Sequence, residues 1–388
     1  MHIYLDHGAT SFPKPAEVVN AVTYFMEQVG CNVNRGSYDH AFAAGDVVYE
    51  TRELIAELFN DSVPEQVIFT RNVTESLNLV IKGLLNAGDH ALVSSMEHNA
   101  VMRPLTGLHA QGITFSRIPC TREGLLQTDM MEELLNHRTR AVIMTHASNV
   151  SGSVMDMEAV AAFCRKHELD LVVDAAQTAG VIPIDVQAWT PSAVCFTGHK
   201  SLLGPQGIGG AWISRKTSKI LRPLVEGGTG SFSEEEVQPD RLPDKFEAGT
   251  PNMPGLYGLH AALLWIQERG IESIHAHEMK LTGRFLEGAG NMSQLQVMGP
   301  PTIADRTAVV SVVCPHHDHG EVAHRLAKEF GIATRSGMHC APHAHRTLGT
   351  YPAGTVRFSF GFSNTVQEVE TALNALHRIT SASSDSSI

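Results

Sequence analysis

The sequence predicts an α/β protein with a large domain built on a mainly parallel sheet, followed by a smaller α+β domain. Two observations carry this prediction. Strand and helix patterns alternate for roughly 140 residues, and chains that repeat strand-helix units build parallel sheets covered by helices. After Pro254-Gly255 the pattern changes to one long helix and a few separated strands. This change indicates a second, smaller domain.

Each predicted element has a recognisable period. From about residue 44 to Leu58, apolar residues recur at helical spacing, and residues 66–70 form a β-branched and aromatic run typical of a strand. The segments that follow are predicted as helix 76–85, strand 90–95, strand 140–145, helix 157–167, strand 169–173 and strand 194–196. Later, a helix runs through Trp265, and strands are predicted at 308–313 and 355–360.

The predicted domain limits follow from these elements. The large domain is predicted at 16–255, and the small domain at 1–15 together with 256–380. Residues 381–388 are polar and rich in serine, so this tail is predicted to be disordered.

Composition excludes several classes of protein. The 388 residues are 43% hydrophobic and 18% charged, which is typical of a globular protein with a large core. The 29 basic and 41 acidic residues give a formal charge of -12, which argues against a nucleic-acid-binding surface and favours small substrates. The sequence shows neither a signal peptide nor a run long enough to span a membrane. We therefore expect a cytoplasmic protein that contacts neither nucleic acid nor membrane.

The six cysteines include no closely spaced pair, so the sequence predicts neither a disulfide framework nor a zinc site. Cys164 and Cys195 fall within a helical and a strand pattern, and both are predicted to be buried. Cys340 differs, because it lies in the loop-like segment 335–342 beside His339.

Two polar groups at predicted strand ends carry the chemistry. Asp174 follows the run 171–173, and Lys200, 26 residues later, closes a Thr-Gly-His-Lys tetrapeptide after the strand 194–196. The carboxyl ends of strands are where open α/β sheets bind ligands. An acid that protonates a pyridine nitrogen and a lysine that forms an imine are the two groups that a pyridoxal phosphate enzyme must supply. Alternatively, Asp174 caps a helix and Lys200 lies on a solvated loop.

Further polar residues follow the neighbouring strands. Segment 72–76 enters a helix, where backbone N–H groups and the helix dipole favour a phosphate, although a simple capping box is the alternative. His98 follows the strand 90–95 and is placed to stack on an aromatic cofactor, although isolated histidines are more often structural. Asn149 adds an amide at the matching position after the strand that ends at Thr145.

Several short motifs occur in a fixed order along the chain. They are Thr74-Glu75, Glu97-His98, Ser148-Asn149, Asp174 with Gln177, Gly198-His199-Lys200 and Phe246-Glu247-Ala248-Gly249-Thr250. This order resembles that of fold-type I pyridoxal phosphate enzymes of the class V aminotransferase superfamily. More narrowly, it resembles the cysteine desulfurase and selenocysteine lyase family. The resemblance runs from Tyr4 to Arg357 and covers nearly the whole chain.

The resemblance implies that pyridoxal 5'-phosphate is bound to Lys200. Asp174 would pair with its pyridinium nitrogen, Gln177 would lie near its ring hydroxyl, and His98 would stack on its ring. The other cofactor contacts that it implies are Thr74, Glu75, Asn149, Thr197, His199 and, from a neighbouring subunit, Thr250. A contact across subunits implies a homodimer with shared active sites.

The resemblance also implies how an amino acid substrate binds and reacts. Arg357 would hold the carboxylate of L-cysteine or L-selenocysteine through a bidentate pair. Asn34, Asn149 and His339 are the other predicted substrate contacts, and a purely structural role is the alternative for His339. The Cys340 thiolate would attack the sulfur or selenium, leaving alanine and an enzyme persulfide or selenopersulfide. The predicted catalytic residues are thus Lys200, Asp174, His98 and Cys340.

The spacing of Cys340 and Arg357 indicates which group of desulfurases the chain resembles. These residues are 17 positions apart, so the catalytic loop is short and resembles that of the second group of desulfurases. Such a loop limits delivery to distant acceptors, and a sulfur-acceptor protein is a candidate partner. Met338 departs from the pattern, because relatives that mobilise sulfur commonly carry another histidine there, and segment 227–231 also differs.

Three other functions stay open. A selenocysteine lyase would depend less on Cys340, because selenium leaves more readily than sulfur, and another class V reaction such as aminotransfer or C–S lysis is the second. The third is a metal-binding protein, since segments 314–319 and 339–345 contain ligand-type side chains. Segment 314–319 precedes a helical pattern, which favours a solvated loop or a helix start, so we expect no metal site.

Overall fold

The computed structural model describes residues 3–33, 36–231 and 234–381. The strands in these ranges are β1 Ile3–Tyr4, β2 Val67–Thr70, β3 His90–Ser94, β4 Thr114–Ile118, β5 Thr139–Thr145, β6 Asp170–Asp174, β7 Ala193–Thr197, β8 Gly209–Ile213, β9 Gln296–Met298, β10 Val309–Val313, β11 Ile332–Ala333, β12 Arg335–Gly337 and β13 Thr355–Ser359. The helices are α1 Ala16–Tyr24, α2 Asp39–Leu58, α3 Val73–Leu84, α4 Asn99–Gly107, α5 Met131–Leu134, α6 Met157–Lys166, α7 Val186–Trp189, α8 Arg215–Ile220, α9 Met253–Arg269, α10 Ile271–Gly290, α11 His319–Phe330, α12 Pro342–Leu348 and α13 Val366–Ser381. A π-helical turn, Phe25–Val29, continues α1.

A seven-stranded sheet lies at the centre of the described chain, with strands in the order β2-β8-β7-β6-β5-β3-β4. The strands from β7 to β4 pair in parallel, and β8 runs antiparallel to both β7 and β2. Strands β3, β6 and β7 are buried along their whole length, because apolar clusters cover both faces of the sheet. The predicted α/β fold class is therefore confirmed.

The register brings the carboxyl ends of three parallel strands level with one another. Thr145 at the end of β5 lies opposite Asp174 in β6, and Asp174 lies opposite Cys195 in β7. Side chains that end or follow these strands therefore emerge at one edge of the sheet.

Local sequence explains where the flanking helices begin. Asn72 caps α3, since its Oδ1 accepts a hydrogen bond of 3.1 Å from the Glu75 backbone N–H. Asp156 caps α6 in the same way, by accepting a hydrogen bond of 2.9 Å from the Ala159 backbone N–H. Among the described helices, none combines the length and the apolar character that crossing a membrane requires.

Helix α9 packs against α1 and α2. Its residues Leu256, Leu259 and Leu263 are buried in the apolar core on one face of the seven-stranded sheet. The boundary predicted at residue 255 falls inside this helix. The domain limits stay a prediction.

The C-terminal part of the chain builds a four-stranded antiparallel sheet in the order β12-β13-β10-β9. Phe285, Leu326 and Phe358 are fully buried between this sheet and the helices α10, α11 and α13. The N-terminus joins this unit, because β1 pairs in parallel with β11. Helix α13 ends at Ser381, and the rest of the predicted tail lies outside the described residues.

Candidate active site

Asp174 and Lys200 lie together at the carboxyl edge of the parallel strands. Asp174 ends β6 and is 3% exposed, while Lys200 comes just after β7. The Asp174 carboxylate accepts a hydrogen bond of 3.0 Å from the Ala176 backbone N–H. Burial raises the pKa of Asp174, and the Ala176 hydrogen bond and the charge of Lys200 oppose that rise. The structure therefore brings these two residues close enough to interact electrostatically.

Lys200 carries an unusually acidic ammonium group. Burial lowers its pKa from 10.5 to about 8, and the carboxylates of Asp174 and Asp6 oppose that shift. The guanidinium groups of Arg357 and Arg335 lower this pKa further. Near pH 8, a large fraction of Lys200 is therefore an uncharged, nucleophilic amine.

His98 is fixed at the start of α4. Its Nδ1 accepts a hydrogen bond of 3.0 Å from the Ala100 backbone N–H, so the ring caps the helix. Burial, together with the charges of Lys200 and Arg103, lowers the pKa of His98 to about 4. The ring is therefore neutral at physiological pH, which is compatible with stacking on a positively charged aromatic ring.

Glu97 is a buried carboxyl group whose role the sequence did not indicate. Its Oε1 accepts hydrogen bonds from the Ser94 hydroxyl at 2.5 Å and from the Thr145 backbone N–H at 2.9 Å. These bonds join the ends of β3 and β5 directly beside His98. Burial raises the pKa of Glu97 to about 8, and the charge of Asp174 adds to that rise. Because Glu97 directly precedes His98 in the Glu-His motif, the sequence could have predicted that it belongs to the site.

Cys340 lies on a short loop whose backbone is held on both sides. His339 and Cys340 have positive φ angles of 47° and 59°, a left-handed conformation that costs a non-glycine residue about 1–2 kcal/mol. The His339 carbonyl accepts a hydrogen bond of 2.7 Å from Asn149 Nδ2. The Cys340 carbonyl accepts one of 2.8 Å from the Asn99 backbone N–H. These bonds hold the exposed cysteine in the same cavity as His98.

The His339 side chain is part of the support for this loop. It is 6% exposed, and its Nε2 shares a hydrogen bond of 3.0 Å with the Thr355 hydroxyl. Burial and the charge of Arg357 lower the pKa of His339 to about 2. Because the ring stays neutral, it cannot stabilise the Cys340 thiolate by charge, and this geometry favours the structural alternative.

Arg357 is the buried cation of the site. It lies in β13, is 2% exposed and donates from Nη2 to Asp6 Oδ1 at 2.7 Å. Its Nη1 donates to the Asn149 carbonyl at 3.0 Å, and its buried Nε has no hydrogen-bond partner among the described residues. Arg335 in β12 lies opposite Arg357, so a second cation borders the site. Paired guanidinium groups suit a carboxylate ligand.

Residues 6–14, here called the N-terminal strap, link the two sheets across the site. The carbonyl of His199, next to Lys200, accepts several hydrogen bonds from the strap. The donors are Ser11 N at 2.9 Å, Ser11 Oγ at 3.1 Å, Thr10 Oγ1 at 3.1 Å and Lys14 Nζ at 2.9 Å. Gln177 Nε2 donates to the Gly8 carbonyl at 3.1 Å. The sequence did not reveal these contacts, because no motif or period connects the strap to Lys200.

The family model of class V aminotransferases matches residues 3–372. The chain belongs to this family. A probable cysteine desulfurase from Methanothermobacter thermautotrophicus is 32% identical, over 97% of this chain and 94% of that protein. Another from Pyrococcus abyssi is 34% identical, over 97% and 94% of the two chains. The family predicted from the order of the motifs is therefore confirmed.

Solved structures of similar proteins share the class V fold. The apo structure of a cysteine desulfurase from Thermococcus onnurineus has a TM-score of 0.91 and 32% identity, over 98% of this chain and 95% of that one. A cysteine desulfurase from Escherichia coli has a TM-score of 0.86 and 30% identity, over 97% of this chain and 94% of that one. These likenesses extend over both sheets of the class V fold described above.

The polar atoms of this class V site fit a phosphorylated pyridine. Thr197 Oγ1 and His199 Nδ1 are buried and have no hydrogen-bond partner within the described ranges. Thr74 lies in the first turn of α3, where helix N–H groups favour an anion. Unpaired buried groups of this kind suit the phosphate of pyridoxal 5'-phosphate, and Asp174 suits its ring nitrogen.

Some predicted cofactor contacts are engaged elsewhere in the structure. Glu75 pairs with Arg71 at 2.7 Å, and the Asn149 amide is bonded to the cysteine loop. Gln177 is 7% exposed and lines, with Lys200, a small cavity of about 30 Å³. The cofactor contacts of Glu75, Asn149 and Gln177 stay predictions.

The structure does not place two of the predicted site residues beside Lys200 and Asp174. Thr250 is exposed and lines a cavity of about 360 Å³ together with Arg71 and Glu75, whereas Lys200 lines a different cavity. Its predicted contact requires a second subunit and stays a prediction. Asn34 lies outside the described residues.

The histidine-rich segments support local structure. Asp318 caps α11 by accepting a hydrogen bond of 2.9 Å from the Glu321 backbone N–H, and His319 Nε2 accepts one of 3.1 Å from the Cys314 backbone N–H. His345 is fully buried. In the part of the chain that the structure describes, no group of three or more His, Cys, Asp or Glu side chains is placed to hold a metal ion. The metal-binding alternative therefore has no support.

The rate at which the apoprotein binds pyridoxal phosphate is expected to rise with pH and level off above about 8. An amine attacks a carbonyl carbon only when it is uncharged, and burial lowers the pKa of Lys200, the predicted cofactor-binding lysine, from 10.5 to about 8. At about pH 8, half of the amines are then uncharged, against about 0.3% for an unperturbed lysine. Stopped-flow absorbance between about pH 6 and about pH 10 measures the midpoint. A rate that still rises steeply at the upper limit contradicts the lowered pKa.

Proposed function

We propose that this protein is a cytoplasmic, pyridoxal-phosphate-dependent cysteine desulfurase, which converts L-cysteine to L-alanine and leaves the sulfur on Cys340 as a persulfide. The observation that carries this proposal is the fixed position of Cys340. Its carbonyl is bonded to the residue after His98, at the sheet edge that also holds Lys200 and Asp174. Similarity to proteins named cysteine desulfurases over nearly the whole chain supports it.

The buried residues of the site bind and orient the reactants. When bound, pyridoxal phosphate supplies an electron sink that weakens the bonds around the substrate α-carbon. Asp174 is placed to keep the pyridine nitrogen protonated, and the neutral His98 ring to pack on its face. Lys200 Nζ can hold and release a proton near pH 8, because its pKa is lowered to about 8. Arg357 orients the substrate through its carboxylate.

Cys340 completes the reaction. Its thiolate attacks the substrate sulfur, so the bond between Cys340 Sγ and that sulfur forms while the substrate Cβ–S bond breaks. The electron pair of the broken bond stays with the substrate carbon, which takes up a proton and becomes the methyl group of alanine. The sulfur remains on an exposed side chain, where an acceptor can reach it.

The proposed reaction is tested by measuring alanine and sulfide formed from L-cysteine by the purified holoprotein in the presence of a reducing thiol. Equal amounts of the two products support a desulfurase. Pyruvate in place of alanine would indicate C–S lysis and contradict the proposal. Turnover of L-selenocysteine without turnover of L-cysteine would instead assign a selenocysteine lyase.

A homodimer that shares Thr250 between active sites is part of the proposal. Large apolar side chains are exposed on α1, its π-helical turn and α2, and exposed apolar surface of this kind marks protein contacts. They include Val19, Tyr24, Met26, Phe42 and Tyr49, which are 46–69% exposed. Analytical ultracentrifugation distinguishes one chain from two. A holoprotein that sediments as an active monomer contradicts the shared site.

Replacement of Arg357 by lysine is expected to raise the KM for L-cysteine by about 10- to 100-fold. Lysine keeps the positive charge but loses the planar pair of donors, and hydrogen bonds to charged groups contribute about 1.5–3 kcal/mol. Steady-state alanine formation gives KM and kcat separately. Arg215→Lys, at the exposed start of α8, is the matched control and should leave KM unchanged. A KM that stays unchanged in Arg357→Lys would show that the assignment of Arg357 is wrong.

Replacement of Lys14 by methionine is expected to lower kcat about tenfold, because small displacements of a catalytic group cost up to about 100-fold in rate. Methionine keeps most of the length of the side chain and removes the charged donor to the His199 carbonyl. Lys14→Arg should recover most of the rate, since it restores a donor. Activity is expressed per bound cofactor, so that a loss of cofactor alone is not counted. An unchanged kcat on this scale shows that Lys14 does not position Lys200.

A further inference from the structure

A groove about 980 Å³ in volume leads away from Cys340 between α3 and α4. At its inner end lie Cys340, His98 and Thr74. The α3–α4 groove is then lined by one ridge from each helix. The ridges are Thr74, Asn78 and Lys82 on α3, and Asn99, Arg103 and Gly107 on α4. Each set is spaced four residues apart, so its members lie on one face of their helix.

The charge of the groove is opposite to that of the chain as a whole. Its charged lining residues are Lys82, Arg103 and Arg222, all exposed, and no Asp or Glu lines it among the described residues. Neither Lys82 nor Arg103 forms an ion pair with a carboxylate in the described ranges. Arg222 lines the groove beside Asn86, to whose Oδ1 its Nη1 donates at 2.9 Å. A positive groove on a chain of net charge -12 attracts a negatively charged ligand.

The length of the groove indicates what kind of ligand it takes. Eight residues of α3 separate Thr74 from Lys82, which corresponds to about 12 Å along the helix. A single amino acid thiol is too short to contact both Thr74 and Lys82 over that distance, whereas an extended peptide of a few residues is long enough.

We propose that the α3–α4 groove binds an acidic segment of a sulfur-acceptor protein and guides a cysteine in that segment to Cys340. This proposal rests on the proposed desulfurase activity. The acceptor thiolate attacks the terminal sulfur of the Cys340 persulfide, so a new S–S bond forms as the Cys340 Sγ–S bond breaks. Cys340 leaves with the electron pair as a thiolate, and no outside oxidant or reductant is needed.

The test uses two synthetic peptides of equal length, each with one central cysteine, flanked by glutamates in one and by lysines in the other. The holoenzyme is first loaded with L-cysteine, and the persulfide transferred to each peptide is followed by mass spectrometry. The acidic peptide is expected to react at least about tenfold faster at low salt, and this preference should shrink as salt screens the charges. Equal rates for the two peptides would overturn the proposal.

Two charge-reversal variants locate the effect. Lys82→Glu combined with Arg103→Glu is expected to abolish or reverse the preference for the acidic peptide. Lys216→Glu combined with Lys219→Glu, on the exposed surface of α8, makes the same change of charge and should keep it. A preference that survives in the first variant contradicts the proposal. A first variant that sediments as a monomer also contradicts the proposal. The groove of the unmodified protein would then be occupied by a second copy of the chain.

The loading step separates this inference from the proposed function. Alanine formed in that step counts the persulfides made, and it does not depend on either peptide. Loading without alanine in the unmodified protein refutes the desulfurase itself. Normal alanine formation in the loading step, without a preference for the acidic peptide, refutes only the proposal that the groove binds an acidic segment.

Discussion

Replacement of Lys200 by alanine is expected to reduce alanine formation from L-cysteine by at least about 1,000-fold. The variant loses the amine that holds the cofactor and also the group that moves protons at the substrate. A positioned general acid or base alone contributes about 100- to 10,000-fold. Lys14 cannot take over, because its Nζ is already bonded to the His199 carbonyl and to Ser11 Oγ. Alanine formed per minute by equal amounts of folded protein measures the loss.

A control variant separates lost chemistry from lost folding. Lys216→Ala removes an exposed lysine at the start of α8, and its activity should stay within about twofold of the unmodified protein. Thermal unfolding of both variants shows whether each is folded before activity is compared. A folded Lys200→Ala protein that keeps more than about a tenth of the activity would place the reactive amine elsewhere.

The part of the site at strand ends is predictable from the sequence. Asp174 and Lys200 each follow an apolar run of strand type, and the carboxyl ends of parallel strands meet at one edge. His98 follows a third strand of the same sheet, and its place in the site is predicted by the same rule. For these residues the apolar pattern predicts the strand, and the end of the strand determines where the side chain lies.

Contacts between distant parts of the chain are not predictable in this way. Lys14 and His199 are 185 residues apart, and Asp6 and Arg357 are 351 residues apart. Such contacts depend on how the N-terminal strap crosses between the two sheets. Periodic patterns in the sequence predict helices and strands, but they do not indicate that path. The family resemblance therefore implied Arg357 as the carboxylate-binding cation of the site, but nothing in the sequence indicated Asp6 as its partner.

Residue type predicts what a side chain can bond, but not which partner it takes. Asn149 is predicted to lie beside the cofactor ring, which stays a prediction, and in the structure its amide donates to the His339 carbonyl. His339 was predicted as a substrate contact, and its ring bonds Thr355. Both residues help to hold the backbone of the cysteine loop, so the rigidity of that loop depends on tertiary contacts. The rigidity bears directly on how Cys340 acts.

Replacement of Cys340 by serine is expected to reduce sulfide formation from L-cysteine by at least about 1,000-fold. Serine fits the same exposed, left-handed backbone position, so the hydrogen bonds of the loop should persist. A hydroxyl group is a far weaker nucleophile than a thiolate toward sulfur, and the variant should form no persulfide. Mass spectrometry of the intact protein after addition of L-cysteine tests this directly. The visible absorbance of the bound cofactor should be unchanged, because the substitution lies outside its buried contacts.

Cys31→Ser is the matched control, since Cys31 is also incompletely buried but its Sγ donates to the His40 carbonyl at 3.3 Å and does not line the cavity of Cys340. It should keep both persulfide and sulfide formation. L-selenocysteine provides a second comparison, because selenium leaves more readily than sulfur and needs less help from a nucleophile. If Cys340 is the sulfur acceptor, turnover of L-cysteine should fall much further than that of L-selenocysteine in Cys340→Ser. If Cys340→Ser loses turnover equally with both substrates, Cys340 is required before the C–S bond breaks. If the variant still forms sulfide from L-cysteine, the persulfide forms on another residue.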